Sequence, residues 1–164
     1  MAFTGVEAFS VMLHFMGLSS ASPQSYPVTA AVVLITSTPG ACTRVAAKTI
    51  KATTTDVEIT VSHHAADPIT TGTYSIGFPS SGDQTATASV TAIRVDGSCQ
   101  VSSQPRQANS GTVTLSRISA SEVSGSVDVT LDDGTTLVGT FGAPHCTAAE
   151  TSAAIEDLPW ACVQ

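Results

Sequence analysis

Residues 111–146 read GTVTLSRISASEVSGSVDVTLDDGTTLVGTFGAPHC. Within this stretch Val123, Gly125, Val127, Val129 and Leu131 alternate with Ser124, Ser126, Asp128 and Thr130. A period of two puts one side chain set on a dry face and the other on a wet face, the pattern of a half-buried β-strand. After the turn, Leu137, Gly139 and Phe141 continue the bulkier set. A two-residue loop at Asp133-Gly134 would send Leu137 and Phe141 to the wet face. A three-residue loop, Asp132-Asp133-Gly134, pairs Val129 with Leu137 and Gly125 with Phe141, so both apolar sets share one face and register selects it. Gly134 then takes the left-handed conformation that closes a type I turn with a bulge, and Phe141 covers the bare Gly125.

Working outward, the same alternation recurs. Phe9, Val11, Leu13 and Phe15 predict a strand over about residues 5–16. A Ser- and Pro-rich loop is expected over 19–27. Residues 28–36 are apolar on both faces (Val32, Val33, Leu34, Ile35), which reads as a central strand. Val57, Ile59 and Val61 mark another strand, and Tyr74, Ile76 and Phe78 a further one. Residues 85–95 form a long strand whose apolar phase slips at Ala92-Ile93, as at a β-bulge. Residues 100–110 read as a polar loop. Thr147-Ala-Ala-Glu150 is a capping box, predicting a short helix over 148–157 that stops before Pro159. The segment 36–56 carries no clear pattern. The fold class expected is all-β: a single domain over residues 1–164, an antiparallel β-sandwich of about eight strands with a short C-terminal helix. A flattened barrel is the other arrangement of such strands. The sandwich is preferred because aromatic residues are only 5% of the chain, few to fill a barrel.

Charged residues are 12% of the 164, against about 25% in typical soluble domains. Thr, Ser, Ala, Val and Gly dominate, a composition that fits a secreted β-protein. Six basic residues against 13 acidic ones give a net charge of −7. That balance argues against nucleic acid or anionic lipid as a partner, since both select clustered Lys and Arg. The opening residues have no basic n-region and place Glu7 early, unlike a signal peptide. Residues 11–18 are too short and too polar to span a bilayer.

Four cysteines, Cys42, Cys99, Cys146 and Cys162, show neither CxxC nor Cys-His zinc spacing. Wide spacing in a low-charge β-protein predicts two disulfides and an oxidising compartment. If the strands from Val57 onward run up and down, those ending at Val95 and at Phe141 point opposite ways, which separates Cys99 from Cys146. A strand over 28–36 antiparallel to the one over 57–62 then ends on the Cys146 side, with Cys42 just beyond. The pairing expected is Cys42–Cys146 and Cys99–Cys162. Cys146–Cys162 with Cys42–Cys99 is the alternative, favoured by the short tail loop.

Candidate chemistry is sparse. His63, His64 and Asp67, near Glu58, offer metal-ligand types, but adjacent strand histidines point to opposite faces. Asp128, Asp132 and Asp133 could suggest calcium, yet an Asp-Asp-Gly run is first of all turn chemistry. His145 beside Cys146 could activate a thiol, whereas a cysteine closing a strand in a secreted domain is ordinarily half of a disulfide. No GxSxG occurs. The sequence therefore names no catalytic residue, metal ligand or cofactor, and the chain is expected not to be an enzyme. Phe3-Thr-Gly-Val-Glu7 is similar to the start of a mature type IV pilin, but Ser10, His14 and Gly17 interrupt the apolar helix that should follow.

The blocks LITSTPGAC (34–42), TTGTYSIGF (70–78), VDGSC (95–99) and the run from 110 to 146 resemble a loose group of uncharacterised secreted bacterial β-rich proteins, many of them similar to surface lipoproteins. The resemblance implies a β-rich domain outside the cytoplasm and transfers no catalytic or binding residue. A lipid anchor upstream of this chain is compatible with it. The function expected is a non-catalytic cell-envelope or secreted module that adheres, packs or self-assembles, with a protein partner or a second copy. A small-ligand or carbohydrate binder is the alternative, and a pilin-like filament subunit a minor one. One Trp and two Tyr count against a sugar site.

Overall fold

The computed structural model describes residues 7–19, 22–77, 85–101, 104–147 and 161–163, with the backbone alone described for 14–19 and 22–26. Among the described residues ten strands and one short helix follow in order: β1 Glu7–Ser19, β2 Ser22–Thr36, α1 Ala41–Ala46, β3 Thr49–Lys51, β4 Thr54–His63, β5 Gly72–Ser75, β6 Thr87–Val95, β7 Arg106–Ile118, β8 Glu122–Leu131, β9 Thr136–Pro144 and β10 Ala161–Val163. The helix expected over 148–157 lies outside the described residues.

Seven strands form one sheet in the order β1-β2-β4-β6-β7-β8-β9, every neighbouring pair antiparallel. The two ends of this sheet meet. Ser10 of β1 bridges His145, just past β9, in the parallel sense. Cys146 N–H donates to the Ser10 carbonyl at 2.8 Å, and the Ser10 hydroxyl to the Ala143 carbonyl at 2.9 Å. With an odd number of strands, a ring of antiparallel neighbours cannot close without one parallel contact, and the β1–β9 seam is that contact. A cavity of about 230 Å³ marks the stretch of seam left open, lined by Glu7, Ala8, Leu137 and Phe141 among others.

The sandwich expectation is thus corrected to a nearly closed, barrel-like sheet. The shortage of aromatics does not prevent it, because the interior is narrow enough for β-branched residues. Val33, Ile59, Val61, Val90, Val113, Val123 and Val129 are all at most 1% exposed. Among the described residues only Phe141 supplies a fully buried ring to this core.

The β8–β9 hairpin has the expected register. Val129 faces Leu137 and Gly125 faces Phe141. Gly134 closes the three-residue loop at φ +82°. At Gly125 an added Cβ would lie 2.0 Å from the Thr114 carbonyl oxygen and 3.0 Å from the Phe141 ring, so the glycine is required by its neighbours on both sides.

Other expectations move. The loop predicted over 19–27 is largely strand, since β2 starts at Ser22 and pairs with β1 along its length. The polar loop predicted over 100–110 already contains the start of β7. The bulge predicted at Ala92-Ile93 is a regular pairing of β6 with β4 over Thr87–Val95. Strand β5 is not interposed between β4 and β6. It pairs with β7, so β4 and β6 are direct neighbours.

Candidate functional site

The outer surface of the barrel carries a second apolar layer. On β1, Ala8 and Met12 pack on the main core, whereas Phe9, Val11 and Leu13 belong to a separate cluster with Ala41, Val45, Leu34, Cys42 and Cys146. Phe9, Val11 and Leu13 of the period-two stripe read from β1 therefore face outward. They stay dry because helix α1 lies over them. The same holds for β2, where Val33 and Ile35 point into the barrel and Leu34 points out.

The roof over this face is built from the segment whose sequence carried no pattern. Glu7, at the start of β1, accepts the backbone N–H groups of Gly40 and of Ala41 (3.1 Å for Ala41), which anchors the first turn of α1. After the helix, β3 pairs in parallel with β10, the last described strand. Ala52 N–H donates to Val163 O and Ala161 N–H to Lys48 O, both at 2.9 Å.

Both disulfides fasten this roof. Cys42, the second residue of α1, joins Cys146 at the barrel seam. Cys99, in the turn after β6, joins Cys162 of β10. The pairing is the one expected, but the route differs. Because β4 contacts β6 directly, β6 ends beside the end of β2, and Cys99 and Cys42 lie toward the same end. Closure of the barrel, not up-and-down strand order, brings Cys146 beneath Cys42. Asp96 shapes the Cys99 turn by accepting the N–H groups of Ser98 at 2.7 Å and Gln100 at 2.9 Å on one carboxylate oxygen. Two disulfides fit an oxidising environment.

Between roof and barrel lies a cleft of about 800 Å³. Phe9, Val11, Val32 and Leu34 form its apolar floor, Ile93 and Val95 of β6 its far wall, and Ala41, Val45 and Ile50 its ceiling. Val101, 51% exposed, stands at its mouth. Asp56 and Glu58 line it from β4, Arg44 and Lys51 from the roof. The Arg44 guanidinium donates to the Pro39 carbonyl and, at 3.0 Å, to the Thr38 hydroxyl, and so holds the turn before α1. The threonine hydroxyl of Thr54, also in the lining, belongs to a buried hydroxyl network with Thr36 (3.2 Å) and Ser37 (3.2 Å). The arrangement offers a dry body for an apolar molecule and charges of both signs to orient a polar end.

The candidates picked from sequence lie elsewhere or have other duties. His63 shares the inward parity of Val57, Ile59 and Val61, and its Nε2 pairs with the Asp67 carbonyl oxygen at 2.6 Å, while Glu58 faces the opposite side of β4. Asp133 accepts the Thr135 N–H at 2.9 Å and lies 3.5 Å from Arg106 Nε. That hydrogen bond from Thr135, seconded by Arg106, holds its carboxyl below the usual 3.8. Cys146 is oxidised, so His145 has no thiol beside it to activate. Among the described residues no three His, Cys, Asp or Glu cluster as metal ligands, and no helix is long and apolar enough to cross a membrane.

The cleft left two signals in the sequence: β2 apolar on both faces, and the phase slip at Ala92-Ile93. The first read as a central strand and the second as a bulge. Both record residues that face the cleft. No protein-family model, curated protein or solved structure matches the chain.

Proposed function

We propose that this chain is a non-catalytic module of the cell surface or extracellular space that holds a small, largely apolar ligand in the roofed cleft. The observation that carries the reading is the roof itself. The barrel already has a core of its own, yet both disulfides are used to fix a separate cover over an apolar outer face, with space left beneath it. Ligand pockets usually enclose about 300–1,000 Å³, lined by apolar side chains with a few polar groups, and the cleft matches that description in size and chemistry. An apolar floor without clustered Trp or Tyr suits an aliphatic or amphiphilic molecule better than a sugar, which stacks on aromatic rings.

The test is uptake of a neutral, environment-sensitive fluorescent probe by the folded, oxidised protein, followed by competition with medium-chain alcohols and carboxylic acids. A blue-shifted, saturable signal is expected. Leu34→Asp, a partly exposed floor residue, should abolish it without unfolding the barrel. Absence of uptake by the native protein, or uptake untouched by Leu34→Asp, would overturn the proposal.

A further inference from the structure

Among the described residues, the β1–β2 hairpin is left without a neighbouring strand along part of each side, and the hydrogen bonds around it show that the two sides are not alike. The Ser10 carbonyl accepts from Cys146, so the backbone of Ser10 points away from β2. Ser10 faces Val33, and that pair is therefore a non-hydrogen-bonded one. By alternation, the even residues Met12, His14 and Met16 also turn their N–H and C=O groups away from β2. The odd residues of β2 turn theirs away from β1, as Ser37 N–H confirms by donating to Thr55 O beside β4.

Beyond Thr29, the last β2 residue paired with β4, β2 continues back to Ser22 with β1 as its neighbour among the described residues. Pro27 lies in this projecting part, opposite Met16, at an odd position. Its nitrogen, which carries no hydrogen, faces the open side. Proline in that place blunts an edge against further pairing. On β1 the seam ends at Ser10–His145, and Cys146 turns off to its disulfide. From Met12 to Leu18 the outer edge of β1 has no proline, and no Asp, Glu, Lys or Arg occurs anywhere in residues 8–43. Seven residues at about 3.4 Å each make an edge of roughly 24 Å.

We infer that this edge of β1 pairs with the same edge of a second copy, antiparallel about a two-fold axis. Such pairing places Met12 against the second copy's Met16 and His14 against its own counterpart, and uses the outward backbone groups on both chains. A strand without charge offers nothing for a charged partner strand to match, whereas its own copy matches it throughout. The asymmetry also explains why association stops at two: each copy spends on the other the β1 edge that no described strand covers, and Pro27 closes the β2 edge against growth into a fibre.

Sedimentation of the full, oxidised chain from micromolar concentration to about 0.1 mM should show a dimer. Met16→Pro copies the Pro27 device onto β1 without removing a bond to β2, and should weaken dimerisation at least about ten-fold. His14→Lys, which puts like charges on both edges, should do the same where the proline variant fails to fold. Amide exchange at Met12 and His14 should be slow in the dimer and fast in either variant. A wild-type monomer across this range would overturn the inference, whether or not those amides are protected. So would variants that dimerise as the wild type does.

Discussion

Cys146 donates its backbone N–H to the carbonyl of Ser10 at 2.8 Å, and that bond joins the end of the barrel to its first strand. One residue thus closes the sheet through its main chain and pins the roof through its sulfur. Barrel closure and one of the roof's fastenings meet in a single residue, alongside the Cys99–Cys162 bond and the Glu7 carboxylate that hold the roof elsewhere.

Replacing Cys42 and Cys146 together by alanine opens a cross-link between residues 104 apart in sequence. Loss of about 2–5 kcal/mol is expected, read from a denaturant titration. Amide exchange in Ala41–Ala46 should accelerate beyond what global unfolding allows, because the roof opens before the barrel does.

Leu131→Asp and Thr130→Asp separate the two faces of β8. Leu131 is 3% exposed and belongs to the main core, whereas Thr130 is half-buried on the other face. Burying an unpaired carboxylate costs several kcal/mol, so Leu131→Asp should unfold or severely destabilise the domain. Thr130→Asp should shift stability by about 1 kcal/mol or less. Equal midpoint shifts in denaturant would show the face assignment to be wrong.

Gly125→Ala and Gly139→Ala make a matched pair on neighbouring strands. The new methyl at Gly125 would meet the Thr114 carbonyl at 2.0 Å, while at Gly139 nothing lies within 4 Å. The first should cost about 3 kcal/mol or more, since β7 and β8 must separate to admit it. The second should be close to neutral in a thermal melt.

The Asp133 carboxyl, held below 3.8 by the Thr135 hydrogen bond and then by Arg106, gives the folded state a pH dependence of known sign. Its contribution is present above the unfolded-state value and fades as pH falls through the lower folded one. Nuclear magnetic resonance titration should place its midpoint below 3.8. Asp133→Asn should remove that part of the acid sensitivity while an amide oxygen still accepts from Thr135.

The hairpin of β8 and β9 was legible to the residue, because the Asp132-Asp133-Gly134 turn and two alternating strands admit one register. The strands at Val57, Tyr74 and Val123 were legible for the same reason. Barrel closure was not, since a parallel contact at Ser10–His145 leaves no pattern in either strand. The roof was not legible either. Helix α1 spans six residues, too few for a helical period to show, and β3 and β10 are three residues each. The cleft was half visible: Val32, Leu34, Ile93 and Val95 stood out as apolar residues on the wrong face, but a wrong face needs a cover, and nothing local announced one.

That β2 is apolar on both sides has a consequence for how the chain reaches this structure. An ordinary amphipathic strand resists a one-residue slip because the slip would expose its dry face. In β2 a slip exchanges Val33 and Ile35 for Val32 and Leu34, and little apolar surface is lost. The discrimination between registers must come from elsewhere, and the Glu7 carboxylate on Gly40 and Ala41 and the Cys42–Cys146 bond are positioned to supply it. Chains refolded with their thiols blocked should therefore collect misaligned hairpins, and chains refolded under oxidising conditions should not.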